Sequence, residues 1–256
     1  MSVIPRATQL RQQASAYAAD ARSIIESSLA AAQSGSEFAE VYHISLSTDT
    51  LLRGLMGAKL RPRLAGARSI VLRVPLLVGI GQQSVATFEL RRFLELTCWT
   101  VYFSDHPVEW RSFERDAETG FSRDTRAPIS YSAHRELGYY VEYARELMKS
   151  EPSGLGIGAV DVIKQVSHEL NAAVHAGGLA RATVQKPPHE DISGVALRKF
   201  GNLQRRVFSS CCILLSAYRR PQFDRLNAAA RAHFDWLVGA KIRKRVRQGA
   251  FGLSST

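Results

Sequence analysis

Cysteine is scarce in this chain. Cys98, Cys211 and Cys212 are odd in number and lack zinc-like spacing. Vicinal cysteines rarely bridge each other, so neither a disulfide framework nor a cysteine zinc site is expected. All three read as reduced thiols in a cytosolic chain, with Cys98 and Cys211 as small core residues. Long apolar runs are missing too. The longest uncharged one, Val74 to Ile80, contains Pro75 and Gly79 and falls far short of the roughly 20 residues that span a bilayer. Near the start, Arg6, Arg11, Asp20, Arg22 and Glu26 interrupt any stretch that could serve as a secretory signal. A soluble, cytoplasmic protein is therefore expected.

Several chemical signatures are also absent. Gly154-x-Gly156-x-Gly158 follows no clear strand, so it is not a dinucleotide fingerprint and reads as a loop leading into a helix. Ser167-His168-Glu169-Leu170-Asn171 resembles the start of a zinc-protease helix, but that motif needs its histidines four apart and Ala172 stands there instead. The next histidine is His175, two turns on, so a metal would need ligands from other helices. Neither a metal nor a cofactor is expected. Cys211-Cys212 has no nearby basic partner in sequence to activate a thiolate.

Acidic residues are rare in the last third. Residues 177–256 hold 15 Lys+Arg against 4 Asp+Glu, while residues 1–176 hold 19 of each, so the whole net charge of +11 lies in the C-terminal part. A neutral body with a basic C-terminal part points to a polyanion as partner, most simply nucleic acid. The natural division is a neutral bundle over 1–176 and basic helices over 177–256, packed on the same core.

What is present is helical periodicity. The apolar fraction of 45% suffices for a sizeable core. Leu10, Ala14, Tyr17, Ala21, Ile24 and Leu29 predict a helix over Thr8 to Ala32. Thr48 or Asp49 can cap a second, stopped or kinked by Pro62. Ser69 to Leu77 is strand-like, though a lone strand has nothing to pair with, and it is left open. Gln83 to Phe103 is the strongest helix and should be central. Asp105 or His106 caps a short helix with Pro107 in its first turn. Glu118 to Ser130 reads as loop, and Ser132 to Lys149 as helix. Asp161 to Ala176 is a helix stopped by Gly177-Gly178. Lys186-Pro187-Pro188-His189 is an extended linker, Ile192 to Arg219 a long helix, and Pro221 opens the last one. The expected fold is all-α, a bundle of about seven or eight helices with a basic C-terminal helical part.

Two constellations carry the functional expectations. Arg198 and Arg205, like Lys199 and Arg206, stand seven apart and form a two-turn cationic stripe on one helix. Lys241, Arg243, Lys244, Arg245 and Arg247 follow as a dense run. Guanidinium groups suit phosphate oxygens, so these nine residues are the expected contacts to an RNA or DNA backbone, without base readout. An acidic protein partner would use the same charge. Separately, Arg92 and Glu95 fall on a face otherwise made by Phe88, Trp99 and Phe103. They read as an intrahelical ion pair, or, joined by His168 or His175, as an internal polar site. In that second reading a histidine is the acid–base group and Arg92 the phosphate clamp.

Glu89-Leu90-Arg91-Arg92-Phe93-Leu94-Glu95 on a central helix, with Ser167 to His175 on a later one, resembles a diffuse group of bacterial helical proteins. These are related to the HEPN superfamily and to abortive-infection proteins. The resemblance covers Gln83 to Gly177. It implies a helical bundle, dimerisation and a role in phage defence or RNA metabolism. HEPN ribonucleases place four to six residues between an arginine and a histidine. Here Arg126–His134, Arg181–His189 and Arg225–His233 each have seven between them. That departure speaks against ribonuclease activity and leaves room for a non-catalytic relative. The expectation is a nucleic-acid-binding helical protein; the alternatives are a nuclease-like toxin or effector, and a structural subunit docking on an acidic protein.

Overall fold

The computed structural model describes residues 22, 23, 26, 30, 36–56, 60–111, 137–151, 154–181 and 193–239, with backbone alone at 61–63 and 173–181. Most of the predicted Thr8–Ala32 helix, the Glu118–Ser130 loop, the Lys186–His189 linker and the Lys241–Arg247 run lie outside the described residues. Those described form helices α1 (Ser36–Leu55), α2 (Arg61–Gly79), α3 (Gln83–Asp105), α4 (Leu137–Met148), α5 (Leu155–Arg181), α6 (Gly194–Tyr218), α7 (Arg220–Phe223) and α8 (Ala228–Val238). A further helical turn covers 107–111. No strand occurs among the described residues, so the all-α bundle is observed.

α3 and α6 form the middle. α3 packs on α2, α4, α5 and α6, and α6 packs on α1, α3, α5, α7 and α8. Phe93 of α3 meets Phe208 of α6 with ring centroids 4.6 Å apart. Cys98, Cys211 and Cys212 are fully buried free thiols in this same core. The buried cluster draws on helices from both the neutral and the basic parts of the chain, so the C-terminal helices share the body's core.

Partner residues fix the helix directions. Gly201 approaches Val41, while Gln204 Nε2 donates to Val41 O at 3.1 Å and to Ser45 Oγ at 2.8 Å, so α1 and α6 run parallel. Ser47 meets His233, and His43 meets Trp236, so α8 runs antiparallel to α1. Three helices thus converge around His43, which is where the basic part of the chain joins the body.

The structure corrects several local expectations. Thr48 and Asp49 do not cap a helix; they are buried in the middle of α1. Thr48 Oγ1 donates back to Ile44 O at 2.8 Å. Asp49 is held by Arg53 at 2.8 Å and Arg68 at 2.7 Å. Pro62 does not end a helix but sits in the first turn of α2, where its missing N–H costs nothing. The strand-like Ser69–Leu77 is helical, with Pro75 inside α2. Leu64, Ala67, Val71, Val74 and Val78 are buried at three- and four-residue steps, and that packing outweighs the strand preference of the β-branched residues.

α5 starts earlier than predicted, at Leu155, and continues through Gly177 and Gly178 to Arg181. Gly154, at φ +64°, makes the turn into it. The last helical region is two helices. Pro221 lies in the first turn of the short α7. α8 restarts where the Asn227 side chain accepts from Ala230 N at 2.8 Å, a standard N-cap.

Candidate nucleic-acid interface

The outward face of α6 carries Arg198, Lys199, Arg205 and Arg206. Ser193 caps the helix, its side chain accepting from Ala196 N. The opposite face, with Phe200, Val207, Cys211 and Leu214, is buried, so the core stripe aims the cations outward, as the seven-residue spacing requires.

Three of the four cations have carboxylate partners on neighbouring helices. Arg198 Nη2 donates to Glu37 Oε1 at 2.9 Å, and Arg205 Nη2 to Glu40 Oε1 at 3.0 Å, both on α1. Arg206 Nη1 donates to Glu169 Oε2 at 2.6 Å on α5. The hydrogen bond from Arg198 holds the Glu37 carboxyl below the usual carboxylate range. Lys199 is exposed and has no partner among the described residues. The stripe read as a bare cationic surface is therefore largely neutralised by side chains at distant sequence positions, which helical spacing alone does not pair.

Arg205 differs from its neighbours. It is 28% exposed, its guanidinium stands 4.2 Å from the Trp236 ring centroid, and Nη1 donates to Trp236 O at 3.1 Å. Trp236 also stacks on His43 at 3.8 Å. His233 Nδ1 lies 2.9 Å from Ser47 Oγ. Burial, then the charges of His233 and Arg205, lower the affinity of the His43 imidazole for a proton. Sequence reasoning missed this junction, because residues on α1, α6 and α8 meet only in the fold. Arg205 is occupied here as a structural clamp. α8 ends just beyond it, at Val238, and the run Lys241, Arg243, Lys244, Arg245 and Arg247 follows in sequence.

The internal site expected from Arg92, Glu95, His168 and His175 has a different geometry. Arg92 and His168 are exposed on α3 and α5, and neither has a partner among the described residues. Glu95 pairs with Arg91 at 3.1 Å, not with Arg92. Spacings of three and four both permit a pair; here Glu95 takes Arg91, and Arg92 stays at the surface beside Phe88, itself 50% exposed. The core-facing side of α3 is instead Ala86, Leu90, Phe93, Leu94 and Val101. His175 has a described backbone only, within α5.

Two other groups of reactive side chains are structural. Burial pushes the Cys211 thiol up to about 12 and raises Cys98 and Cys212 as well, which leaves no thiolate nucleophile near neutrality. Asp105 accepts from Tyr143 and from Tyr218, both at 2.7 Å, joining α3 to α4 and α6. Burial and that bond push the Tyr218 hydroxyl up to about 12. Among the described residues no group of three His, Cys, Asp or Glu could hold a metal ion. Nor is any described helix long and apolar enough to cross a membrane. The chain matches no protein-family model, no curated protein and no solved structure.

Proposed function

We propose that this chain is a cytoplasmic nucleic-acid-binding protein whose basic C-terminal part holds the phosphate backbone without reading bases. The observation that carries the reading is where unbalanced charge remains. On α6, Arg198, Arg205 and Arg206 are matched by Glu37, Glu40 and Glu169. Lys241, Arg243, Lys244, Arg245 and Arg247, by contrast, follow Asp235 with no further acid in the sequence. Five cations in seven residues make this the densest basic run in the sequence, and on α6 Lys199 has no partner among the described residues. Neutralising phosphates releases condensed counterions, so affinity should fall steeply with salt.

The bundle fold agrees with what the HEPN-like resemblance implies, and that resemblance supplies the further proposals of RNA as the polymer, a role in phage defence or RNA metabolism, and a homodimer. Replacing the five cations of the run with glutamine and measuring anisotropy of labelled RNA and DNA tests the reading. Lost binding supports it. Unchanged binding, or capture of an acidic protein that survives nuclease treatment, moves the charge to a protein partner.

A further inference from the structure

We infer that the outer face of α6 is a second phosphate-binding strip, closed by Glu37 and Glu169, whose carboxylates occupy Arg198 and Arg206 in place of phosphate oxygens. This rests on the reading that the basic part of the chain binds nucleic acid, and it assigns that surface a regulated half. Guanidinium donates to carboxylate and to phosphate oxygens in the same hydrogen-bonded geometry. The two pairs are well formed, at 2.9 and 2.6 Å. Three of the four side chains are solvent-exposed, Arg198 at 66%, Arg206 at 44% and Glu169 at 50%, while Glu37 is 21% accessible. An exposed ion pair contributes little to stability, so the Arg206–Glu169 pair opens at small cost, and the largely exposed Arg198 can turn away from the less accessible Glu37.

Arg205 does not belong to the strip, because Trp236 holds it through both ring and carbonyl as well as Glu40. Lys199 does belong, being exposed beside Arg198 and without a partner among the described residues. From Arg198 to Arg206 the strip runs about 12 Å at 1.5 Å per residue. Measured along a duplex axis, where each strand places a phosphate about every 3.4 Å, that length spans about three to four phosphates of one strand. The closing carboxylates come from opposite flanks, Glu37 from α1 and Glu169 from α5, so the strip lies between two acidic edges. In the wild-type chain the C-terminal run and Lys199 bind while Arg198 and Arg206 stay closed. Removing the two carboxylate charges opens them.

The experiment uses the full-length chain, with labelled single-stranded RNA and duplex DNA, between about 50 and 200 mM salt. E37Q/E169Q is compared with E142Q/E146Q, which removes the same charge from two exposed pairs, Glu142 of α4 with Lys164 of α5 and Glu146 of α4 with Lys149 just beyond it. Circular dichroism verifies that each variant folds, and the single variant E169Q stands in should the double variant not. The expected result is tighter binding by E37Q/E169Q than by the control, with the log–log salt slope steeper by about 1 to 2. Adding R198Q/R206Q should remove the gain. Equal behaviour of the two glutamate variants overturns the inference and leaves the C-terminal reading intact. So does a gain that persists after R198Q/R206Q. Binding by E37Q/E169Q but not by wild type supports the strip and removes the C-terminal run as the wild-type site. No binding by either overturns both.

Discussion

Arg205 holds Trp236 twice, with its guanidinium 4.2 Å from the indole centroid and an Nη1 hydrogen bond of 3.1 Å to that residue's own carbonyl. The pair ties α6 to the last turn of α8, immediately before the basic run. It also removes from the phosphate-binding inventory a cation that helical spacing alone assigns to it. R205Q should therefore cost about 1 to 2 kcal/mol of stability, from a lost charge-assisted bond and a lost cation–π contact, while leaving phosphate affinity nearly unchanged. K199Q should do the reverse. Urea midpoints and anisotropy titrations on the two variants check this, and the opposite pattern would make Arg205 a ligand contact.

His43 gives the junction a pH dependence. Its proton affinity is lowered in the fold, so the unfolded chain takes up a proton first as pH falls. The stability associated with neutral His43 is full above its unfolded value, near 6.5, and is lost as pH falls below it until the lower folded value is reached. H43F removes this loss. Urea denaturation of wild type and H43F at about pH 7.5 and about pH 5.5 should show wild type losing more on acidification. Parallel losses in both would mean that His43 contributes nothing to the pH response.

Asp49 is nearly inaccessible, at 4%, and is held between Arg53 and Arg68. R68A leaves a buried carboxylate with only the more exposed Arg53 as partner, so about 2 to 3 kcal/mol should be lost. D49A should cost less than this, because both arginines can reach water. Thermal melts of the two variants rank them, and a D49A cost at or above that of R68A would contradict the assignment.

Gly156 opens α5 directly under Met148. A Cβ there would meet the Met148 sulfur and lie 3.1 Å from its Cβ, which a side-chain rotation cannot relieve. G156A should therefore destabilise the α4–α5 hairpin by about 1 to 3 kcal/mol. G158A, which meets open space, should be neutral or slightly stabilising. Equal melting temperatures for the two variants would show that α4 shifts to accommodate the methyl group.

The strongly periodic segments are legible in the sequence. α3 begins at Gln83 as its spacing predicts, and α6 lies within two residues of its predicted ends. Where two faces of one helix both carry large apolar groups, periodicity cannot choose between them. α3 turned Leu90, Phe93 and Leu94 inward and left Phe88 and Arg92 at the surface. The segment Ser69–Leu77 was ambiguous because its β-branched residues suit either structure, and only the packing of α2 against α1 and α3 decides. The cations of the candidate interface were legible one by one. Their partners were not, since Glu37 and Arg198 stand 161 positions apart and no spacing rule connects them.

The most direct measurement is the salt dependence of nucleic-acid binding by the full-length chain and by its K241Q/R243Q/K244Q/R245Q/R247Q variant. The account predicts a log–log slope for the wild type of about −0.9 per phosphate contact on duplex DNA. In the variant the affinity collapses and the slope flattens. A wild-type chain that shows no binding at low salt, or a variant that binds as tightly and with the same slope, would contradict it.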